Sequence, residues 1–314
     1  MNIVYMGTPL FAVPTLEAIL QAGHRVAAVY TQPDRPKGRG QQLAASPVKE
    51  CAVAHGLAVE QPERVRRPEV VERIREMQPE CIVVVGYGQI IPQSIIDIPR
   101  WGIINVHASL LPKYRGAGPI QWAIANGETV TGVTTMKIDA GLDTGDILLM
   151  RETAVGGEEN AVELAERLSR MGAELLVETL TGLAAGSIVP VPQDNAAATY
   201  APILKKEDGL VDWLMPAARI HCRVRGFFPW PGCYTSFRKQ RLHVWKARVS
   251  GETAGQAPGM IYGRNSRLFA SCGGGTELEL LEVQLEGRKR MDGSAFLNGH
   301  RLLQYEGLGG ETNR

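Results

Sequence analysis

The first part of the chain alternates short apolar runs with amphipathic stretches. Segments such as NIVYM from Asn2 and CIVVV from Cys81 are apolar almost throughout, which is typical of strands covered on both faces. Between them, PLFAVPTLEAILQAG from Pro9 and PEVVERIREMQP from Pro68 carry apolar residues at helical spacing. This alternation predicts a doubly wound, mostly parallel α/β sheet over residues 1–189.

The pattern changes in the later part of the chain. Residues 190–206 are irregular, with prolines and small polar side chains, and they predict a linker. Residues 207–314 contain one helical segment and then short strand-like segments such as CYTSF, RLHVWKARV and TELELLEVQLEG. Short strands at such regular spacing predict a smaller C-terminal β-barrel of the OB type.

Composition narrows the class of protein. Apolar residues make up 44% and charged residues 21% of the chain, which is ordinary for a soluble globular protein. No apolar run approaches the roughly 20 residues that span a bilayer, and the chain opens on a strand-like segment rather than an export signal. The five cysteines show no CxxC spacing, which disfavours disulfides and zinc. We therefore expect a cytoplasmic protein that binds neither metal nor membrane.

The charge is unevenly distributed along the chain. Residues 207–314 hold 15 Lys and Arg against 11 Asp and Glu, a net charge of +4, whereas the whole chain has a net charge of +1. A basic C-terminal part indicates a polyanionic partner.

The turn MGTP, after the first strand, has a glycine where a nucleotide-binding loop would have one. It lacks the further glycines of the dinucleotide fingerprint, and the chain contains no GxxxxGK[ST] motif. Nucleotide-dependent redox or phosphoryl chemistry is therefore disfavoured. We expect a tight turn in which Thr8 caps the first helix.

Candidate chemistry lies in GIINVHASLLPKYRGAGP, which starts at Gly102. Side chains alternate along a strand, so Asn105 and His107 share one face at the carboxyl end of this strand. Ligands bind at that end in open α/β sheets. The glycine-flanked loop GLDTGDI adds Asp143 and Asp146, and Asp143 would orient His107 if the loop folds back. The alternative is that these side chains only stabilise their own turns through hydrogen bonds to the nearby backbone.

An amide, an imidazole and a carboxylate suit acyl transfer to an external nucleophile. Asn105 would donate to a developing oxyanion, His107 would carry a proton or stabilise the charge, and Asp143 would hold His107 in place. The sequence has no GxSxG motif and no cysteine near His107 that would supply a nucleophile. A lone histidine without HxxxH spacing is a poor metal ligand set.

The segment INVHASLLPKYRGAGPIQWAI, together with GLDTGDIL, closely resembles the folate-dependent formyltransferases, in particular those that act on methionyl-tRNA. The resemblance extends to MGTP, TQPDRPKGRG, SPVK, TYAPILKKEDG and FPWPG, and so covers both predicted domains. It implies that Asn105, His107 and Asp143 form a catalytic set. It also implies a folate site lined by Ser109, Leu110, Leu111 and Pro112.

The resemblance implies a reaction and its partners as well. The formyl group of the co-substrate 10-formyltetrahydrofolate would pass to the free amino group of methionyl-initiator tRNA, for translation initiation and without a metal. The C-terminal barrel would be a tRNA-binding domain. We expect the protein to be a monomer.

A long basic loop distinguishes some folate-dependent formyltransferases from others. QPDRPKGRGQQLAASP, from Gln32 to Pro47, spans 16 residues where a strand-to-helix connection usually takes about 2–6. It carries Arg35, Lys37 and Arg39. Cations close to a catalytic edge suit the phosphates of a bound tRNA, and the basic barrel would bind another part of the same molecule. The alternative is a merely solvated surface loop.

Two other functions stay open at this point. A folate-dependent formyltransferase or hydrolase acting on a small molecule would need neither the basic loop nor the basic barrel. A catalytically inert RNA-binding protein would not need the Asn–His–Asp set.

Overall fold

The computed structural model describes residues 1–37, 42–304 and 306–309, and of residues 37 and 42 it describes the backbone. Contacts divide the chain into two compact units. The first consists of Met1–Pro119, Val130–Ala154 and Ala165–Ala201, and the second of Ile120–Thr129, Val155–Leu164 and Pro202–Arg314. The domain limits at 189 and 206 stay predictions.

The first unit is built on a sheet that is parallel except at one end. The strands in this part of the chain are β1 (Asn2–Gly7), β2 (Arg25–Tyr30), β3 (Arg35–Lys37), β4 (Gln42–Ala44), β5 (Val59–Glu60), β6 (Cys81–Val85), β7 (Ile103–His107), β8 (Val130–Lys137) and β9 (Ile147–Ala154). Within the described residues, seven of them form one sheet in the order β5-β2-β1-β6-β7-β8-β9. Strands β8 and β9 are antiparallel to their neighbours, and the other pairings are parallel.

Helices follow most of these strands, as a doubly wound fold requires. Their bounds are α1 (Val13–Gln21), α2 (Pro47–Ala54), α3 (Pro68–Glu76), α4 (Gln93–Ile96), α5 (Pro119–Ala125) and α6 (Ala161–Ala184). On β1, Ile3 and Tyr5 belong to one apolar cluster and Val4 and Met6 to another. Strand β1 is therefore covered on both faces, and the predicted mostly parallel α/β fold is confirmed.

The second unit contains an antiparallel sheet, which we call the C-terminal sheet. The helices and strands of this unit that follow residue 202 are α7 (Ala217–Gly226), β10 (Cys233–Phe237), β11 (Gln240–Thr253), β12 (Ile261–Arg264), β13 (Arg267–Ser271), β14 (Thr276–Leu285), β15 (Met291–Asp292) and α8 (Gly293–Gly299). Among the described residues, its strand path is β10-β11-β14-β13-β12, with β15 beside β14. Buried side chains such as Phe237, Leu242 and Phe296 form its core. The predicted C-terminal β domain is confirmed.

Thr8 does not cap a helix, so that prediction is wrong. The chain first makes a 3-10 turn at Leu10–Ala12, which separates Thr8 from the first residue of α1. The Thr8 hydroxyl instead donates to the carbonyl oxygen of Tyr87 at 3.1 Å and accepts from the backbone N–H of Gln32 at 3.3 Å. Thr8 thereby joins the segments that follow β1, β2 and β6.

The long loop between β2 and α2 is not wholly irregular. Strands β3 and β4 pair in antiparallel fashion within it and form a separate two-stranded hairpin. The three-residue strands are too short to give an alternating pattern, and Pro36 argues against a strand on sequence alone.

None of the helices in the described ranges combines the length and the apolarity that crossing a bilayer would require.

Candidate active site

Asn105 and His107 lie at the carboxyl end of β7. This strand runs parallel to β6 and antiparallel to β8, with Asn105 opposite Val84 on one side and Met136 on the other. Since β1, β2, β6 and β7 are parallel, their carboxyl ends meet at one edge of the sheet, where open α/β folds bind ligands. His107 is 5% exposed and Asn105 is half-buried.

The turn after β7 fixes the orientation of the His107 ring. Nε2 of His107 lies 2.9 Å from the carbonyl oxygen of Tyr114. Because a carbonyl oxygen only accepts, this nitrogen carries a proton. Nδ1 lies 3.7 Å from Oδ2 of Asp143, which is longer than a hydrogen bond. Nδ1 is therefore the ring nitrogen that is left for a contact with substrate.

The carboxylate of Asp143 faces both Asn105 and His107. Its Oδ1 lies 3.5 Å from the Asn105 amide nitrogen, and its Oδ2 accepts the backbone N–H of Gly116 at 2.8 Å. Asp143 itself has a left-handed backbone, with φ of 51°, and its side chain is 17% exposed. The loop does fold back, and the structure brings together the three side chains that the sequence singled out.

The predicted linker holds the Asp143 loop in place. The side-chain amide of Gln193 donates to the backbone oxygens of Asp143 at 2.9 Å and Gly145 at 2.7 Å. The buried guanidinium of Arg115 in turn donates to Gln193 Oε1 at 2.8 Å and to Asn195 Oδ1 at 2.9 Å. Sequence reasoning missed this support, because nothing in one sequence pairs positions that lie 78 residues apart.

Gly116 is required where the linker meets the turn after β7. Its φ of 113° is a conformation that only glycine adopts readily, and an added Cβ would lie 2.7 Å from the carbonyl oxygen of Ala201. Around it, Arg115 exchanges backbone hydrogen bonds with Thr199 at 2.9 Å and with Ala201 at 2.7 Å. This close approach positions the Gly116 N–H that binds Asp143.

A cleft of about 580 Å³ opens at the same edge of the sheet. The residues that line it follow β1, β2 and β6: Thr8, Pro9, Gln32, Pro33, Arg35, Pro36, Ala44, Ala45, Ser46, Pro47, Gly86, Tyr87 and Gly88. Its volume lies within the range of sites for small molecules. Among these lining residues the cationic side chain is that of Arg35, which comes from the basic loop.

The four residues expected to line a folate site differ in their exposure. Ser109 is fully buried, and its hydroxyl donates to the carbonyl oxygen of Lys113 at 2.6 Å. Leu111 is also buried, whereas Leu110 and Pro112 are half-buried. Of these four, only Leu110 and Pro112 have side chains that a ligand can reach in this conformation, and their role in folate binding stays a prediction.

Hydrogen bonds to Asp34 fix the first residues of the basic loop. The carboxylate of Asp34 accepts hydrogen bonds from Lys49 at 2.5 Å and from the side-chain amide of Gln61 at 2.7 Å. Both hydrogen bonds lower the pKa of Asp34, and the one from Gln61 has the larger effect. Arg35 is exposed in β3. Lys37 ends β3, and Arg39 lies outside the described residues.

Comparison with known families assigns both parts of the chain. Residues 1–180 match the family described as formyl transferase, and residues 203–301 match the family described as formyl transferase, C-terminal domain. This chain belongs to the formyl transferase family.

Two curated relatives resemble this formyl transferase over nearly its whole length. The protein named methionyl-tRNA formyltransferase from Solibacter usitatus (strain Ellin6076) is 63% identical over 309 residues, which cover 98% of this chain and 99% of the relative. The protein of the same name from Koribacter versatilis (strain Ellin345) is 55% identical over 310 residues, with coverage of 98% and 99%.

A solved structure confirms the fold of the family. The N-formyltransferase from Helicobacter canadensis, crystallised with folinic acid and dTDP-3-aminofucose, superposes with a TM-score of 0.65 at 19% identity. The match covers 88% of this chain and 98% of that one.

Proposed function

We propose that this formyl transferase moves the formyl group of 10-formyltetrahydrofolate to the free amino group of methionyl-tRNA, as a monomer in the cytoplasm. The names of the two relatives above 50% identity support the tRNA substrate. The observation that carries the chemistry is the convergence of Asn105, His107 and Asp143 at the carboxyl edge of the sheet.

The donors at this edge fit an acyl carbonyl. Bound 10-formyltetrahydrofolate would supply an electrophilic formyl carbon, and the methionyl-tRNA would supply the attacking amine. Nδ2 of Asn105 and Nδ1 of a protonated His107 offer two hydrogen bonds to an oxygen that gains negative charge during attack. Nε2 of His107 is held by Tyr114, so the ring needs no reorientation as charge develops. Such preorganised donors contribute about 10²–10³ in rate each.

The reaction needs a group that carries a proton from the attacking amine to the leaving nitrogen, and the site contains such a group. The methionyl amine, whose pKa is near or below the roughly 7.7–8.0 of an ordinary α-amine, attacks in its neutral form. The amine loses one proton and the leaving nitrogen gains one, so the reaction needs a carrier but no net acid or base. His107 and Asp143, 3.7 Å apart, can hold and pass that proton.

The position of Ser109, the hydroxyl nearest to His107 in sequence, also supports direct transfer between two substrates. Its Oγ is buried and committed to the Lys113 carbonyl oxygen, so it is not available as a nucleophile. Among the described residues, the cysteines lie at positions distant in sequence from His107, and three of them, Cys222, Cys233 and Cys272, belong to the second unit.

The basic loop provides a further test of the tRNA substrate. Arg35, Lys37 and Arg39 are proposed to contact phosphates near the bound 3′ end. Neutralising each should lower the slope of log affinity against log salt by about 0.7–0.9 for every phosphate that is no longer bound. Arg39 lies between two glycines, and Arg39→Ala should be the most harmful. Unchanged slopes with unchanged rates in all three variants would return the loop to a solvated surface role.

Substrate choice separates this function from its rivals. The protein is incubated with 10-formyltetrahydrofolate and, in parallel, methionyl-initiator tRNA, uncharged tRNA, or a dTDP-linked amino sugar. We expect formylation of methionyl-tRNA alone. Formylation of the amino sugar at a comparable kcat/KM would overturn the proposal in favour of a small-molecule formyltransferase, and no turnover with any acceptor would favour an inert RNA-binding protein.

A further inference from the structure

Helices α1 and α2 bring together three side chains that carry the donor atoms of metal ligands. Glu17 belongs to α1 and Cys51 to α2, and His55 is the residue that caps the end of α2. A carboxylate oxygen of Glu17, Sγ of Cys51 and a ring nitrogen of His55 all lie within 4.8 Å of one another. We call these three residues the Glu–Cys–His cluster. None of them belongs to the candidate active site.

The local fold explains why the three side chains meet. The backbone N–H of His55 donates to the carbonyl oxygen of Cys51 at 3.1 Å, so the last helical turn extends to His55. Residues four apart in a helix share one face, which brings the thiol and the imidazole together. Cys51 is partly buried and packs against the apolar cluster that contains Leu16 and Ile19 of α1. The packing of the two helices then places Glu17 beside this pair.

The cluster lacks the protein partners that other helical carboxylates have. On α3, for example, Glu72 pairs with Arg75 at helical spacing. Within the described residues, the three side chains of the cluster form neither a hydrogen bond nor an ion pair. Lys49 of α2 does not neutralise Glu17, because its ammonium group is bound to Asp34 at 2.5 Å. The carboxylate therefore faces a thiol and an imidazole without a cation of the protein.

The donor atoms select the kind of ion. Thiolate, imidazole and carboxylate are the ligands of Zn²⁺ and similar divalent ions, whereas Mg²⁺ and Ca²⁺ prefer oxygen. Ligands about 2.0–2.3 Å from one zinc ion at tetrahedral angles lie about 3.3–3.6 Å apart. The donors of the cluster lie within 4.8 Å, so side-chain rotations over about 1 Å bring them to a common ion. A water molecule can fill the fourth position.

The cluster lies at the end of α2 that favours a cation. The last carbonyl groups of a helix carry partial negative charge, and His55 is at that end. Ser46 and Pro47, at the other end of α2, line the cleft. At a rise of about 1.5 Å per residue, Cys51 and His55 follow Pro47 by about 6 and 12 Å along the helix. An ion in the cluster would act on the packing of α1 against α2 and not on a ligand in the cleft.

We propose that Glu17, Cys51 and His55 bind one divalent ion of the zinc type, which joins α1 to α2. The Cys51 thiol gives its proton to solvent as the bond from Sγ to the metal forms, while Glu17 binds as a carboxylate and His55 as a neutral imidazole. The two negative ligands balance the charge of the ion. This ion takes no part in formyl transfer, so the inference goes beyond the proposed function and does not depend on it. The cluster has neither CxxC nor HxxxH spacing, and the sequence did not indicate it.

The first test uses Co²⁺ as a coloured substitute for Zn²⁺. The full-length protein is freed of metal with a chelator and titrated with Co²⁺, whose bond to a thiolate absorbs strongly in the near ultraviolet. We expect one Co²⁺ per chain, displaced by Zn²⁺ but not by Mg²⁺. Cys51→Ser should abolish this absorption. Glu17→Gln and His55→Ala should each weaken binding by at least about tenfold, since loss of an outer partner of a ligand alone typically costs about 10–100-fold.

Two variants serve as matched controls for this titration. Cys222→Ser removes another partly buried cysteine, and Glu50→Gln removes a carboxylate that lies next to Cys51 in α2 but outside the cluster. Both should bind Co²⁺ as the wild type does. A wild-type protein without the thiolate absorption, or an absorption that persists in Cys51→Ser, would overturn the inference. An equal loss of binding in the controls would overturn it as well.

Thermal unfolding provides a second readout. Zn²⁺ at about 100 times its dissociation constant should raise the unfolding midpoint of the wild type by about 5–10 °C, because the folded protein holds the ligands together. Cys51→Ser should show no such rise, and its midpoint without metal checks that the variant is folded. An equal rise in both proteins would show that zinc binds elsewhere and would overturn the inference. None of these outcomes depends on whether the protein formylates methionyl-tRNA.

Discussion

Replacing Asp143 by Asn tests the electrostatic role of the site with little change in shape. The Asp143 carboxylate lies 3.7 Å from Nδ1 of His107 and is 17% exposed. At that distance, and with an effective dielectric constant of about 20, a unit negative charge attracts a protonated imidazole by about 4.5 kcal/mol. If this attraction is made in the transition state, its loss corresponds to a decrease in rate of about 10³-fold.

The hydrogen bonds of Asp143 add to this effect. Its two oxygens accept from the Gly116 N–H and face the Asn105 amide. An asparagine side chain has one oxygen, so in Asp143→Asn one of these donors faces an NH₂ group and loses its acceptor. The backbone oxygens that Gln193 binds are unchanged, and the loop should keep its position.

The assay is kcat/KM for methionyl-tRNA at saturating 10-formyltetrahydrofolate, together with the thermal unfolding midpoint. We expect Asp143→Asn to lower kcat/KM by about 10³-fold while the midpoint stays close to that of the wild type. Asp146→Asn, in the same loop, removes the same charge and should keep most of the activity, because within the described residues the ring of His107 contacts Tyr114 and Asp143 and not Asp146. Activity of Asp143→Asn within tenfold of the wild type, or an equal loss in Asp146→Asn, would show that the Asp143 charge does not act on His107 during the reaction.

Three further changes test other parts of the structure. Asn105→Ala should lower kcat by about 10²–10³-fold, because one donor to the developing oxyanion is removed; a rate near that of the wild type would remove Asn105 from the chemistry. Gly116→Ala should destabilise the protein by at least about 2 kcal/mol, since its Cβ would lie 2.7 Å from a backbone oxygen, whereas Gly157→Ala, at an open position, should be tolerated in the same thermal melts. Hydrogen bonds from arginine lower the pKa of Glu279 below its ordinary 4.5, so its contribution to stability is present above that pH and is lost as the pH falls through the folded pKa. Thermal unfolding measured between pH 7 and about pH 3 should therefore show Glu279→Gln less stable than the wild type at neutral pH and nearly as stable in acid. A difference in stability that does not change with pH would contradict this.

Much of the site followed from local sequence. Strand alternation placed Asn105 and His107 on one face, and the parallel topology placed them at the ligand-binding edge. The glycine-flanked loop brings Asp143 back to them, which was the condition for its expected role. These inferences depend on short-range geometry, which the order of residues largely determines.

What the sequence did not show depends on contacts between distant segments. Gln193 and Thr199 read as polar residues of a linker, yet they bind the Asp143 loop and the turn around Tyr114. Thr8 looked like a helix cap because it precedes an apolar helix, and the 3-10 turn that separates the two has no clear sequence signal.

The proposed reaction is a direct transfer of the formyl group between two bound substrates. It is best examined in a single-turnover reaction of the protein with 10-formyltetrahydrofolate labelled with ¹⁴C in the formyl carbon and with methionyl-initiator tRNA. We expect label that leaves the folate to appear in equal amount on the methionine amino group, with none bound to protein after denaturation. Label recovered as free formate, or attached to the protein, would rule out direct transfer.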